Sequence, residues 1–190
     1  MIVDVSSIIS GDKKPIEIYP FDKCFPDHVA FSDERSRILK SLIGRIQPGM
    51  IINFWTDGRI AMHDILNYIL RQVGPCKVVA CTWAISEDSV NDILYRIKNG
   101  LITDFRLWID PRVKVRNPGP LQIAQANFPV IISPVHAKVC LLENENWKVS
   151  ISGSLNFTSN PQPERCIIQC IDSVYNTDKK LIDYEFDKER

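Results

Sequence analysis

The chain has 190 residues, 45% of them hydrophobic and 24% charged, the proportions of an ordinary globular domain rather than of a disordered or fibrous one. Lysine plus arginine number 23 and aspartate plus glutamate also 23, so no overall field draws the protein to nucleic acid or to an anionic membrane, and any such attraction has to be local. A chain of this length buries roughly 70% of its unfolded surface and needs no covalent staples.

The six cysteines are Cys24, Cys76, Cys81, Cys140, Cys166 and Cys170. None forms a CxxC pair, and several stand among apolar residues, so they read as buried free thiols in a reducing compartment rather than as disulfides or a zinc site. The amino terminus carries Asp4 and no basic stretch ahead of an apolar core, which is not the pattern of a signal peptide. The apolar runs fall far short of the roughly 18 residues of a spanning helix. The expected location is the cytoplasm, with no membrane partner.

In chain order, residues 1–30 are broken by Pro15, Pro20 and Pro26 and read as an extended arm or short strands. Residues 31–190 read as one domain. Ser32 is placed to cap a first helix, with Ile38, Leu39, Leu42, Ile43 and Ile46 as its apolar stripe and Pro48-Gly49 as its stop. Residues 50–55 predict a strand. Met62, Ile65, Leu66, Ile69, Leu70 and Val73 predict a second helix, ended by Gly74-Pro75. Residues 77–85 predict a buried strand. Val90, Ile93, Leu94 and Ile97 mark a third helix before Gly100. Residues 105–110 predict a strand and 120–127 a short helix. Strands are then expected over 129–142, 147–153 and 165–171, with a turn at Glu143–Asn146 and a last helix over about 173–187. Helices alternating with strands, then a strand-rich end, give an α/β fold: a mixed β-sheet flanked by helices on both faces, in a single domain.

The polar chemistry concentrates between His136 and Glu164. On a strand, residues two apart point the same way, so His136 and Lys138 are expected to share a face and converge on one small anion. Gly153, Ser154 and Asn156 fall where the next strand ends. The glycine permits close backbone approach, and the hydroxyl and amide are neutral donors suited to phosphate oxygens.

His136 and Lys138, followed by Gly153, Ser154, Asn156 and the later Glu164, resemble the HKD signature of the phospholipase D superfamily. Glu143 stands where that signature has an aspartate. The resemblance covers about thirty residues and implies a phospholipase D-like α-β-α sandwich over 31–190. It implies a phosphodiesterase that needs no metal or other cofactor, with His136 attacking phosphorus to form a phosphohistidine. It further implies that Lys138 and Asn156 stabilise the equatorial oxygens, that Ser154 and Gly153 help to hold the phosphate, and that Glu164 orients the imidazole. Glu143, one methylene longer than the family's aspartate, is expected to support the fold.

The superfamily's mechanism uses a second motif, whose histidine protonates the leaving oxygen. This sequence has one copy. His28 and His63 lack the following lysine and the Gly-Ser-x-Asn cluster and are expected to be non-catalytic. The small single-motif nucleases of the superfamily complete their site by dimerisation, so the expectation is a two-fold homodimer with the two His136 side chains meeting at the axis.

Outside the motif, Arg112, Lys114 and Arg116 alternate with valines. If extended, they present three cations to a phosphate backbone; otherwise they are a solvated loop edge. Trp55, Trp83, Trp108 and Trp147 read as core residues, with stacking on bases as the alternative, and Thr158, Ser159 and Asn160 as a turn, with an extension of the phosphate cradle as the alternative. Asn53, Thr56 and Asp57 follow no recognised chemistry. The expected substrate is DNA or RNA. A phospholipid enzyme and a nucleic-acid-binding or interaction module with a degenerate site are the alternatives, the latter resting on Glu143 alone.

Overall fold

The computed structural model describes residues 33–188. The expected arm over 1–30, the Ser32 cap, Cys24 and His28 lie outside these residues. The described elements are α1 (Asp33–Leu42), β1 (Ile51–Thr56), α2 (Met62–Val73), β2 (Cys76–Thr82), α3 (Glu87–Lys98), β3 (Ile102–Ile109), α4 (Val113–Arg116), α5 (Pro118–Asn127), β4 (Val130–Ile132), β5 (Val139–Glu143), β6 (Lys148–Gly153), β7 (Glu164–Gln169) and α6 (Asp172–Lys188).

The strands form one sheet in the order β1-β7-β6-β5-β2-β3-β4. β2, β3 and β4 pair in parallel, and the remaining neighbours pair antiparallel. Consequently β1, β2, β3, β4 and β6 run one way and β5 and β7 the other. β2 lies near the centre, and its successive residues Val78, Val79, Ala80 and Cys81 are all buried, as a strand covered on both faces requires.

On one face, α1, α2, α3 and α5 enclose the larger core. Leu39, Ile65, Leu66, Ile69, Ile93 and Leu121 pack there against Val78, Ala80, Leu107, Cys140, Ile151 and Ile168 of the sheet. On the other face α6 places Tyr175, Ile182 and Phe186 against Val79, Cys81, Trp108 and Leu141. The expected mixed sheet with helices on both faces is therefore present. Among the described residues no helix is long and apolar enough to cross a membrane.

Among the described residues the second covering is incomplete. α6 does not reach the β1 edge, where the burial of β1 alternates strictly and Ile51 and Trp55 stand exposed beside Asn53. Across the ladder they face Gln169, Arg165 and Ile167 of β7.

Several elements depart from the sequence expectation. α1 stops at Leu42, and Gly44 then takes a positive φ of 62°. Its carbonyl accepts bonds from the Tyr68 hydroxyl and the Gln72 amide; Ile43, whose N–H still bonds to the Leu39 carbonyl, closes the helical stripe, and Ile46 is buried from the segment beyond it. The long strand expected over 129–142 is interrupted: residues 133–138 leave the ladder, with Pro134 having no N–H to give it. Residues 113–116 coil into one helical turn and are not extended. The strand expected over 77–85 ends at Thr82, with Ile85 making only an isolated bridge to Phe157.

The five described cysteines are free and buried. Burial pushes the Cys81 and Cys170 thiols up to about 11 and those of Cys76 and Cys166 up to about 12, which leaves little nucleophilic thiolate at neutral pH.

Candidate functional site

Strand direction decides where the motif residues meet. The carboxyl ends of β2, β3 and β6 and the amino ends of β5 and β7 lie along one edge of the sheet. That edge therefore collects Thr82 at the end of β2 and Trp83 just after it, Asp110 after β3, His136 and Lys138 before β5, Gly153, Ser154 and Asn156 around the end of β6, and Glu164 at the start of β7. Loops at the carboxyl ends of parallel strands are the usual position for ligand groups in open α/β sheets.

His136 and Lys138, expected on a strand, lie instead in the irregular segment just before β5. The outcome for the lysine is a tight turn back: its Nζ donates to the His136 carbonyl oxygen at 2.6 Å. Lys138 is buried at 8% exposure, whereas His136 is exposed. Burial holds the Lys138 ammonium below the ordinary lysine range. Glu164 opposes this first among the neighbouring charges, with Asp110 acting the same way and Arg112 in the opposite sense. One ammonium thus feels charges drawn from β7 and from the loop between β3 and α4.

Gly153 joins this centre by close approach. Its N–H donates to the Lys138 carbonyl, and a Cβ at that position would run into the Arg165 carbonyl. Ser154 then forms a reciprocal pair with β7. Its N–H donates to the Arg165 carbonyl at 3.0 Å, and its Oγ accepts from the Arg165 N–H at 3.0 Å.

The same hydroxyl donates to Glu164 Oε2, and Asn160 Nδ2 donates to Glu164 Oε1 at 2.6 Å. Glu164, buried at 7% exposure, therefore braces Ser154 and the 158–162 turn. The expected bond from the His136 imidazole to Glu164 is absent among the described residues; the two oxygens accept from Ser154 and Asn160 instead.

Asn156 sits deeper. Its Oδ1 accepts from Thr82 Oγ1 and from the Trp83 N–H, each at 3.3 Å, and its own carbonyl accepts from the Met62 N–H at the start of α2. With Oδ1 so used, Nδ2 has no partner among the described residues and is the donor left for a ligand. The next residue is held equally firmly: the Phe157 carbonyl accepts from the Ser86 N–H and from Ser89 Oγ. Ser89 Oγ also meets His63 Nδ1 at 2.8 Å. His63 is thus a buried tie between α2 and α3, linked through Ser89 to the Phe157 carbonyl.

The three cations expected on one extended face separate because the segment coils. Residues four apart on a helical turn share a side, and Arg112 and Arg116 both lie over the Trp83 ring, at 5.0 and 4.5 Å from its centroid. Lys114, between them, is exposed and turned elsewhere on the helix. Arg112 is further held by Asp110, through Nε at 2.7 Å and Nη2 at 3.1 Å. That bidentate contact holds the Asp110 carboxyl well below the usual carboxylate range. Asp110 Oδ2 also accepts from the Val135 N–H at 3.4 Å, immediately before His136.

Trp83 is consequently a site residue, not the core residue expected. Besides the two guanidinium groups it contacts the His136 ring edge-on, with centroids 6.4 Å apart. Asp110 and Thr82 are the candidate-site residues that sequence reasoning missed, and Trp83 and Asn160 are those for which it favoured the core and a turn. Their one available signal was position: Trp83 and Asp110 directly follow strands that run toward this edge.

Glu143 lies at the opposite edge, closing β5, where its Oε2 accepts from the Tyr175 hydroxyl at 3.0 Å. It fastens α6 to the sheet.

No family model matches the chain, and no curated protein matches it. Among solved structures the chain is similar to TrmBL2, described as an archaeal chromatin protein with a novel mode of DNA binding. The TM-score is 0.51 at 9% identity, over 82% of this chain and 58% of that one. It is also similar to the polyphosphate kinase of Porphyromonas gingivalis, with a TM-score of 0.50 at 11% identity, over 70% of this chain and 25% of that one. The chain thus spans less than two thirds of either protein. What is shared at these identities is the fold.

Proposed function

We propose that the protein is a phosphodiesterase acting on nucleic acid through a phosphohistidine at His136, completed by a second copy of the chain. The observation that carries this reading is the convergence of an exposed imidazole, a buried ammonium and a free amide donor at one sheet edge. In the proposed reaction an imidazole nitrogen of His136 forms a bond to phosphorus while the bond to the leaving oxygen breaks. That oxygen takes its proton from His136 of the second copy. The same second imidazole then removes a proton from water, which attacks phosphorus, breaks the P–N bond and restores His136.

Lys138 and Asn156 Nδ2 supply charge and hydrogen bonds to the equatorial oxygens, and the Ser154–Glu164 pair holds the loop that presents Asn156. No step requires a bound metal. The second copy is assigned to the open face at β1 and β7. Trp55 and Ile51 are exposed there, and Trp55 lies opposite Arg165, whose N–H is held by Ser154.

A second reading, a DNA-binding module without hydrolysis, is favoured by one observation: Glu164 is engaged with Ser154 and Asn160 and not with His136. A protein of similar fold is described as binding DNA.

Incubation with plasmid DNA in EDTA separates the readings. Nicking by the native protein that is lost in His136→Ala and Lys138→Ala supports the enzyme. Intact plasmid with retained DNA binding supports the module. Release of head group from phospholipid vesicles would instead assign a lipid substrate.

A further inference from the structure

The arrangement of Trp83, Arg112 and Arg116 is more specific than a phosphodiester site of one phosphate requires. Arg112 is braced by Asp110, so its charge is largely compensated. Among the described residues Arg116 has no acidic partner, although its guanidinium lies 4.5 Å from the Trp83 centroid. Long arginine side chains on an exposed helical turn ordinarily sample many rotamers, and stacking on an indole restricts that freedom in advance of binding. The same indole is in edge contact with the exposed His136 ring. A poised, uncompensated cation is therefore held beside the nucleophile on a shared aromatic support.

The Trp83 N–H does not explain the residue's presence. Nε1 is buried and has no hydrogen-bond partner among the described residues. A buried donor left unsatisfied disfavours the fold, so the useful part of the residue is its ring.

We infer that Trp83 and Arg116 form a second anion subsite beside His136, with Arg116 binding a phosphate that neighbours the scissile one on the same strand. Trp83 is the positioning residue, and Arg112, fastened to Asp110, packs on the same ring as its brace. This rests on the phosphodiesterase reading and adds to it a preference for substrates with several phosphates over an isolated phosphodiester.

The test compares a short thymidylate oligonucleotide with bis(4-nitrophenyl) phosphate, which has one phosphate. In Arg116→Gln and Trp83→Leu the ratio of kcat/KM on the oligonucleotide to that on the small diester is expected to fall about tenfold, mainly through KM. Trp83→Phe, which keeps a ring and removes the orphaned N–H, is expected to restore most of the ratio. An unchanged ratio in Arg116→Gln and Trp83→Leu overturns the subsite, since a general folding defect lowers both rates together. So does a Trp83→Phe protein as impaired as Trp83→Leu.

If the native protein hydrolyses neither substrate, the phosphodiesterase reading fails, and the subsite is judged by binding alone. The salt dependence of oligonucleotide affinity should then be shallower in Arg116→Gln by about 0.7 in log–log slope, the loss of one phosphate contact. Equal slopes overturn the subsite.

Discussion

The ammonium of Lys138 lies 2.6 Å from the carbonyl oxygen of His136, the residue two positions before it. The bond closes a small loop in a segment that has left the ladder. Lys138 is buried while His136 stays exposed. A compact ammonium on a flexible stem can fold back in this way, whereas a planar guanidinium cannot occupy the same space. Lys138→Arg is therefore expected to lower kcat by about a hundredfold or more despite retaining the charge. A plasmid-nicking time course with purified variant checks this, and native-like turnover would refute the assigned geometry.

Asp110 couples the basic turn to the approach of His136 through Arg112 and the Val135 N–H. In Asp110→Asn both contacts weaken, and oligonucleotide affinity and turnover should fall together. The pH dependence has a defined sign. A carboxyl whose folded value is depressed contributes stability that is fully present above the ordinary value of 3.8 and is lost as pH falls toward the folded value. Urea midpoints measured from neutral to acid pH should therefore drop more steeply below about pH 4 in the native protein than in Asp110→Asn.

The buried thiols predict the opposite limb. Their folded values are raised above the ordinary 9.0, to about 11 for Cys81 and Cys170 and about 12 for Cys76 and Cys166. The associated stability is complete below pH 9 and is lost as pH rises toward those folded values. Within that window each thiol removes up to about 1.4 kcal/mol per pH unit. Denaturation midpoints between pH 8 and 11, compared with a Cys81→Ala variant, test the sign.

Gly153→Ala should be costly in a way that alanine on a strand normally is not, because the added Cβ meets the Arg165 carbonyl and the strands must separate. A loss of about 1–3 kcal/mol is expected. Activity should fall further than stability does, since Ser154 and Lys138 both bond to this junction. Calorimetry combined with kinetics on the same preparation distinguishes the two effects.

Trp55 supplies the test of assembly. It is 64% exposed on a sheet face that no described element covers. Trp55→Glu leaves the core untouched, so monomer stability should change by less than about 0.5 kcal/mol. Sizing should nevertheless shift from dimer toward monomer, and turnover should fall with the dimer fraction. A monomer that retains full activity would contradict the two-copy site.

Much of the fold was legible because burial imposes a period. The helical spacing from Met62 to Val73 and the run from Val78 to Cys81 report which surfaces are covered, wherever their partners come from. The HKD-like residues were legible for a different reason: their spacing follows one local stretch of chain. Spacing did not disclose the surroundings. Residues 112–116 alternate like a strand, yet they coil because Val113 is buried while Arg112 and Arg116 find a common partner in Trp83, some thirty positions earlier. Trp83 itself looks like any strand-end aromatic until β5 is inserted next to β2 and brings His136 beside it.

The sequence by itself determined most of the order of helices and strands, the two apolar faces and which histidine, lysine and asparagine are the candidates at this sheet edge. These depend on periodicity and on contacts a few residues apart. Only the tertiary structure decided that Lys138 turns back on His136, that Glu164 serves Ser154 and Asn160, and that one indole gathers two guanidinium groups beside the imidazole. Such contacts join residues from different strands of the sheet, and no local pattern encodes which distant side chains the sheet order will bring together.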